Sequence, residues 1–287
     1  MIFNSIQFLF FFVLVTTLYY VLPYRYRWPM LLAASCWFYM AFVPVYILIL
    51  AFTIAVDYAA GILIAGSTGA TRKRWLIASI IANVGVLAIF KYYGFLTDNW
   101  EDLVHSFGYL DYSVPDLGII LPIGLSFHTF QSLSYTIEVY RGNQPAERHL
   151  GLFSLYVMFY PQLVAGPIER PDNLLRQLHL KFDFDYKTVT SGLKLMAWGF
   201  FKKLVIADRV AAMVNHVYDD PQAHDGPALI LATIFFTIQI YCDFSGYSDI
   251  ALGAARTLGI DLMRNFRTPY YSTNISEFWR RWHISLS

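Results

Sequence analysis

Apolar residues in this chain form long, nearly unbroken runs, not the alternation of a half-buried strand or the narrow stripe of a soluble amphipathic helix. A helical bilayer crossing takes about 20 predominantly apolar residues, fewer where neighbours shield it. The runs that qualify as candidate elements are Gln7–Leu22, Met30–Val43, Val45–Ala65, Trp75–Tyr93, Leu117–Tyr140, Gly151–Ala165, Gly192–Val214 and Ala228–Leu258. Met30–Val43 and Gly151–Ala165 are short for a crossing and are expected as short or re-entrant helices covered by protein. Ala228–Leu258 contains Gly246 and is expected as two elements. The pattern predicts an all-α, polytopic bundle of transmembrane helices with short or re-entrant pieces, and it shows no internal repeat.

Composition sharpens this picture. Apolar residues make up 57% of the 287 positions and charged residues 14%, against about 25% charged in soluble domains. The net charge of +1 offers no basic field for nucleic acid. No Lys or Arg precedes the run from Phe8 to Val21 and no small-residue cleavage site follows, so a retained first span is expected in place of a signal peptide. Cys36 and Cys242 lie far apart in apolar surroundings and read as buried small hydrophobes; no metal site is expected.

Charge asymmetry sets an orientation. Arg25 and Arg27 follow the first span, and Arg72, Lys73 and Arg74 precede the one starting at Trp75; both clusters are expected on the cytoplasmic side. Thr97–Asp116 carries Asp98, Glu101, Asp102, Asp111 and Asp116 with no Lys or Arg, as fits a loop on the opposite side. Met30–Ala65 then goes out and back, hinged near Pro44, and Arg141, Arg148, Arg170 and Arg176 fall inside again. Arg72–Arg74 also suits anionic headgroups.

Polar groups at bilayer depth are costly and mark candidate sites. His128, Gln131, Tyr135 and Glu138 recur at spacings that share one helical face, read either as the wall of a substrate passage or as interhelical hydrogen bonding. Tyr160–Pro171 holds three prolines and Gly166, which no regular helix continues through; it is either a re-entrant loop lining a cavity or a helix end at the surface. Lys194, Lys202, Lys203, Asp208 and Arg209 ride on the amphipathic Gly192–Val214 element, snorkelling to the interface or meeting phosphates. Asp243 and Asp249 need partners, for which Arg256 and the later arginines are candidates. Asn274 and Glu277 form a capping-box pattern, predicting a helix from near Ile275 that runs to the end of the chain. It would set Trp279 and His283 on one face. A neutral imidazole there suits proton removal from an attacking hydroxyl.

Taken in order, Leu163-Val164-Ala165-Gly166-Pro167-Ile168-Glu169-Arg170, Asp243-Phe244-Ser245-Gly246-Tyr247-Ser248-Asp249 and Glu277 to Ser287 resemble the membrane-bound O-acyltransferase family, above all its alginate O-acetyltransferase branch, with D-alanyl transfer proteins of teichoic-acid modification as relatives. The resemblance implies a bacterial cytoplasmic-membrane enzyme that passes acetyl groups, with acetyl-coenzyme A as donor, to an exported polysaccharide such as alginate through periplasmic acetyltransferase partners. It makes His283 the first active-region histidine. His128, Gln131, Asp243, Asp249, Trp279 and Arg281 are substrate-tunnel candidates. The Leu-Trp-His-Gly setting of the family's second histidine is absent, so residues 1–287 are expected to be the N-terminal part of one such domain, lacking its C-terminal spans and inactive alone. Against the enzyme stand a transporter or channel component and a non-catalytic membrane scaffold.

Overall fold

The structure, a computed structural model, describes residues 1–108, 114, 122, 124–164 and 166–287. The described residues are all-α, without a strand. Helix α1 (Ile6–Val21) starts where the Ser5 hydroxyl accepts the Phe8 N–H at 3.2 Å, an N-cap that satisfies one of the unpaired first-turn donors. Helix α2 (Tyr24–Met40) opens directly after Pro23, and a short 3₁₀ turn over Pro44–Tyr46 links it to α3 (Ile47–Ala65). The hinge therefore falls at Pro44, as its fixed φ and missing N–H dictate.

Helix α4 (Gly69–Ser106) has 38 residues and at 1.5 Å per residue is about 57 Å long. Arg72–Arg74 sit at one end and Asp98, Glu101 and Asp102 at the other. The acidic loop expected from Thr97 is thus corrected: neither Gly nor Pro interrupts Thr97–Ser106, and the helix runs through it. Asp111 and Asp116 lie outside the described residues, as does most of Leu117–Gly124. At the basic end, Arg72 Nη2 donates to the Val139 carbonyl at 2.9 Å, so the cluster also anchors the last turn of α5 (Leu125–Arg141).

Helix α6 (Leu150–Met158) leads into an irregular segment and then α7 (Pro171–Leu178). Phe159, Tyr160, Gln162, Leu163, Ile168 and Glu169 are all buried, so this segment is a loop inside the protein and not a helix end at the surface. Backbone that leaves the helix at membrane depth must be covered in this way. Together with Phe38, Tyr135, Phe153, Tyr156 and Leu174 it forms the centre of the core, which is why so short a helix as α6 is tolerated. Gly124, at φ +78°, begins α5; a Cβ there would lie 2.6 Å from the Leu163 carbonyl oxygen, so only glycine lets the loop close against α5.

The Gly192–Val214 element resolves into α8 (Tyr186–Phe200), one stretch of π-helix over Phe201–Ala207, and α9 (Asp208–Tyr218). Helix α10 (Gly226–Arg256) follows as a single helix; the expected break at Gly246 does not occur. Gly246 serves close packing instead. Cβ atoms at Gly199 and Gly246 would stand 2.7 and 2.9 Å from each other's carbonyl oxygens, and the same holds for Gly192 against Gly253 at 2.7 and 2.6 Å. Two glycines seven residues apart on each helix thus let α8 and α10 cross in backbone contact.

Among the described residues, three helices are long and apolar enough to cross a membrane, Pro44–Ala65, Gly69–Ser106 and Gly226–Arg256, and α1 is a shorter apolar helix. Helix α4 is inverted relative to a soluble helix: its buried residues are the polar Ser79 and Asn83, while Ile77, Ile81, Val84 and Ile89 point outward, toward lipid.

Candidate active site

The C-terminal stretch differs from the sequence expectation. Asn274 does cap α11 (Ile275–Arg281), accepting the Glu277 N–H at 2.8 Å. The Glu277 carboxylate reaches back past Asn274 to the Thr273 N–H and hydroxyl, at 2.9 and 2.8 Å. The helix then ends at Arg281, with Trp282 extended and His283 at φ +45°. Trp279 and His283 therefore do not share a helical face. Pairing with an upstream strap draws the chain out of the helix: Arg267 N–H bonds the Arg281 carbonyl, Ile284 N–H the Asn265 carbonyl, both at 3.0 Å, and Ser285 N–H the Asn265 Oδ1 at 3.3 Å. A left-handed conformation at a residue other than glycine costs of order 1–3 kcal/mol and persists only where its surroundings enforce it.

Those surroundings continue into the buried loop. Ile168 N–H donates to the Ser285 hydroxyl at 3.0 Å. The Glu169 carboxylate accepts Met263 N–H at 2.5 Å and Asn173 Nδ2 at 2.7 Å, and Tyr156 donates to the Glu169 carbonyl at 2.9 Å. Glu169 lies outside the three spanning helices, and burial pushes its carboxyl up to about 7 against these hydrogen bonds. The His283 ring stands 4.7 Å from Phe244 on α10, edge-on, and 6.2 Å from Phe127 on α5. Its Nε2 is buried without a hydrogen-bond partner. Burial holds the imidazole below its usual pKa, so it is neutral at pH 7 and Nε2 or Nδ1 is free to accept a proton.

The tunnel candidates do not converge on one wall. His128 and Gln131 are buried as expected, but they face the backbone of the last turn of α6. The His128 ring hydrogen-bonds at Val157, leaving Nε2 unpartnered, and Gln131 Nε2 donates to the Tyr156 carbonyl at 2.6 Å. Asp249 pairs with Lys202 at 2.7 Å, and Asp243 with Lys203, which also meets Asp208 at 2.9 Å. The aspartates' partners are thus the two lysines of the π-helical stretch, not the arginines; Arg256 pairs with Asp261. Lys202 further donates to the Ser245 hydroxyl at 2.9 Å, so neither lysine snorkels or waits for a phosphate. Trp279 is exposed, and Arg281 pairs with Glu277. At the Arg141 end of α5, adjoining cavities of about 500 and 410 Å³ are lined by Glu138, Arg141, Arg170 and Asp172, and by Glu147, Asp172, Arg176 and His179.

Two features escaped the sequence reading. Glu169 sits in a motif singled out for its prolines, not its carboxylate. Asp57 on α3 is fully buried and accepts the Ser79 hydroxyl at 2.6 Å and Asn83 Nδ2 at 2.8 and 3.0 Å. The one available signal was an acidic residue in the middle of a hydrophobic run. Among the described residues, no group of three or more His, Cys, Asp or Glu side chains is placed to hold a metal ion.

A multi-pass helical membrane protein with a neutral, backbone-strained histidine stitched to a buried proline-rich loop is the class that fold and site define. The comparisons give the family. The membrane-bound O-acyltransferase family model matches residues 149–287, the half that holds the loop, the α8–α10 crossing and His283. The whole chain aligns with the probable alginate O-acetylase AlgI of Pseudomonas aeruginosa at 40% identity, covering 55% of that protein. It also aligns, over its whole length, with the peptidoglycan O-acetyltransferase of Helicobacter pylori at 32% identity, covering 60% of it. A teichoic acid D-alanyltransferase of Streptococcus thermophilus matches 58% of the chain at 29% identity. The protein belongs to the membrane-bound O-acyltransferase family, in the alginate O-acetylase branch, and is a multi-pass protein of the bacterial inner membrane. The chain spans a little over half the length of the curated relatives it matches.

Proposed function

We propose that the protein is an O-acyltransferase that moves acetyl groups from a cytoplasmic donor, acetyl-coenzyme A, across the membrane for O-acetylation of an exported polysaccharide such as alginate. A periplasmic acetyltransferase partner completes the transfer. The observation that carries this reading is the whole-chain likeness to alginate and peptidoglycan O-acetylases, joined to the geometry at His283. A neutral imidazole with an unpartnered buried nitrogen is suited to take the proton of an acceptor hydroxyl as the oxygen attacks the thioester carbonyl and the thiolate leaves. Nearby backbone amides or the arginines of this region stabilise the carbonyl oxygen as it gains charge. Arg170 and Arg176 at the cavities beside α5 suit the approach of a phosphate-bearing donor.

The test is acetyl transfer from radiolabelled acetyl-coenzyme A in sealed inverted vesicles carrying the protein expressed from its complete reading frame with a periplasmic partner. Label is expected to appear on the luminal side and to require both. Label that never crosses, or that crosses equally without the protein, would refute the reading.

A further inference from the structure

Asp57 sits about halfway along α3, within a span, and is fully buried. What faces it comes from each element packed around it. Helix α4 contributes the Ser79 hydroxyl at 2.6 Å and the Asn83 amide at 2.8 and 3.0 Å; α5 contributes the Thr136 hydroxyl at 3.4 Å and Ser132. Tyr135 on α5 is a titratable neighbour of Asp57, with Tyr58 on α3 beside it. No Lys, Arg or His among the described residues reaches ion-pair distance of Asp57, whereas Asp243 and Asp249 each have a lysine. An ionised carboxylate at this depth, held only by neutral donors, leaves the site one positive charge short.

The same cage offers an oxygen with nothing to bind. Asn83 Oδ1 is fully buried without a hydrogen-bond partner, and the buried Ser132 Oγ turns only toward Asp57. With Asp57, Ser79 and Thr136 they make an all-oxygen set contributed by three helices, the donor type that hard cations take. The Asn83 amide, whose nitrogen now faces the carboxylate, presents its oxygen instead on rotation by half a turn.

We propose that Asp57, Ser79, Asn83, Ser132 and Thr136 form an intramembrane site for one small monovalent cation, a proton or Na⁺, which neutralises Asp57 and ties α3, α4 and α5 together. The site is independent of acyl transfer. It makes the packing of this half of the protein responsive to the ion that occupies it, since whatever binds the folded state alone stabilises it by mass action.

The experiment uses the detergent-purified protein and its Asp57→Asn variant, in which a neutral amide of the same shape replaces the carboxyl group. Thermal unfolding is followed as NaCl replaces KCl at constant ionic strength, and infrared difference spectra are recorded in nominally Na⁺-free buffer. If Na⁺ is the occupant, Tm rises with Na⁺ and not with K⁺, and the rise is absent in Asp57→Asn. If the occupant is a proton, wild type shows a protonated-carboxyl C=O band that Asp57→Asn lacks, and Tm ignores the change of salt. Should Asp57→Asn fail to fold, Ser132→Ala serves: it removes one cage oxygen, diminishing the Na⁺ response or shifting the band. An Asp57 carboxyl that is ionised by infrared, in a protein whose Tm does not distinguish Na⁺ from K⁺, overturns the proposal.

Discussion

At the junction of α3, α4 and α5, Asp57 is surrounded by hydroxyls and an amide; at the crossing of α8 and α10, Asp243 and Asp249 each face a lysine ammonium. Both regions set carboxylates between membrane helices, Asp57 fully buried and Asp243 and Asp249 part-exposed, and the packing explains the difference. Glycines bring α8 and α10 into backbone contact, and two residues beyond Gly199 the chain widens into π-helix, a geometry frequent at functional sites. That widening turns Lys202 and Lys203 toward α10. No glycine pair closes α3 against α4, and the space between them is filled by short polar side chains too small to bring a cation. The lesson is that acidic charge between helices in this protein is balanced by a cation where the backbone is deformed and left to neutral donors where the helices are regular.

Breaking the ion pairs should have the largest effect. Lys202→Ala leaves Asp249 without its counter-charge, and removal of one partner of a buried pair costs roughly 3–5 kcal/mol; the part-exposure of Asp249 puts the expectation at about 3 kcal/mol. Thermal unfolding measures it, and the double variant Lys202→Met, Asp249→Leu should recover most of the loss. Gly199→Val comes next. Its Cβ would meet the Gly246 carbonyl oxygen at 2.7 Å, and the overpacking should cost about 2 kcal/mol; an unchanged Tm would show that the two backbones do not touch. Ser79→Ala, which removes one of several neutral donors to Asp57, should cost about 1 kcal/mol. A loss as large as that of Lys202→Ala would erase the contrast between the regions.

The remaining expected effect is a pH dependence. The Glu169 carboxyl is raised from its ordinary 4.5 to about 7, so the folded protein holds a proton there that the unfolded chain has released. This contribution to stability is fully present below 4.5 and is lost as pH rises through about 7. Glu169→Gln removes the titration, and its Tm should fall less than that of wild type between pH 5 and 8.

Much of the architecture was legible because lipid imposes it: long apolar runs gave α1, α3, α4 and α10, Pro44 gave the hinge, and the prolines of Tyr160–Pro171 gave the irregular loop. Errors arose where one residue type supports two structures. Gly246 reads as a helix breaker by propensity, yet in a membrane a glycine opposite another glycine is a packing contact, and the matching seven-residue spacings of Gly192/Gly199 and Gly246/Gly253 were the available clue. Their antiparallel register carries Lys202 and Lys203 down beside Asp243, which marks a lysine as that aspartate's partner without a structure. The turn at His283 was not legible, because it depends on backbone pairing with Asn265 and Arg267, whose register no periodicity records. The acidic end of α4 reads as a loop on polarity alone, although nothing in it opposes a helix.

The role assigned to His283 is the centre of the account, and acetyl transfer by His283→Ala tests it most directly, in vesicles that also carry the wild-type protein's partner. With Tm and elution behaviour matching wild type, the variant should transfer acetyl groups about 10²–10⁴ times more slowly, the span attributed to a positioned proton acceptor. Transfer at the wild-type rate would contradict the account.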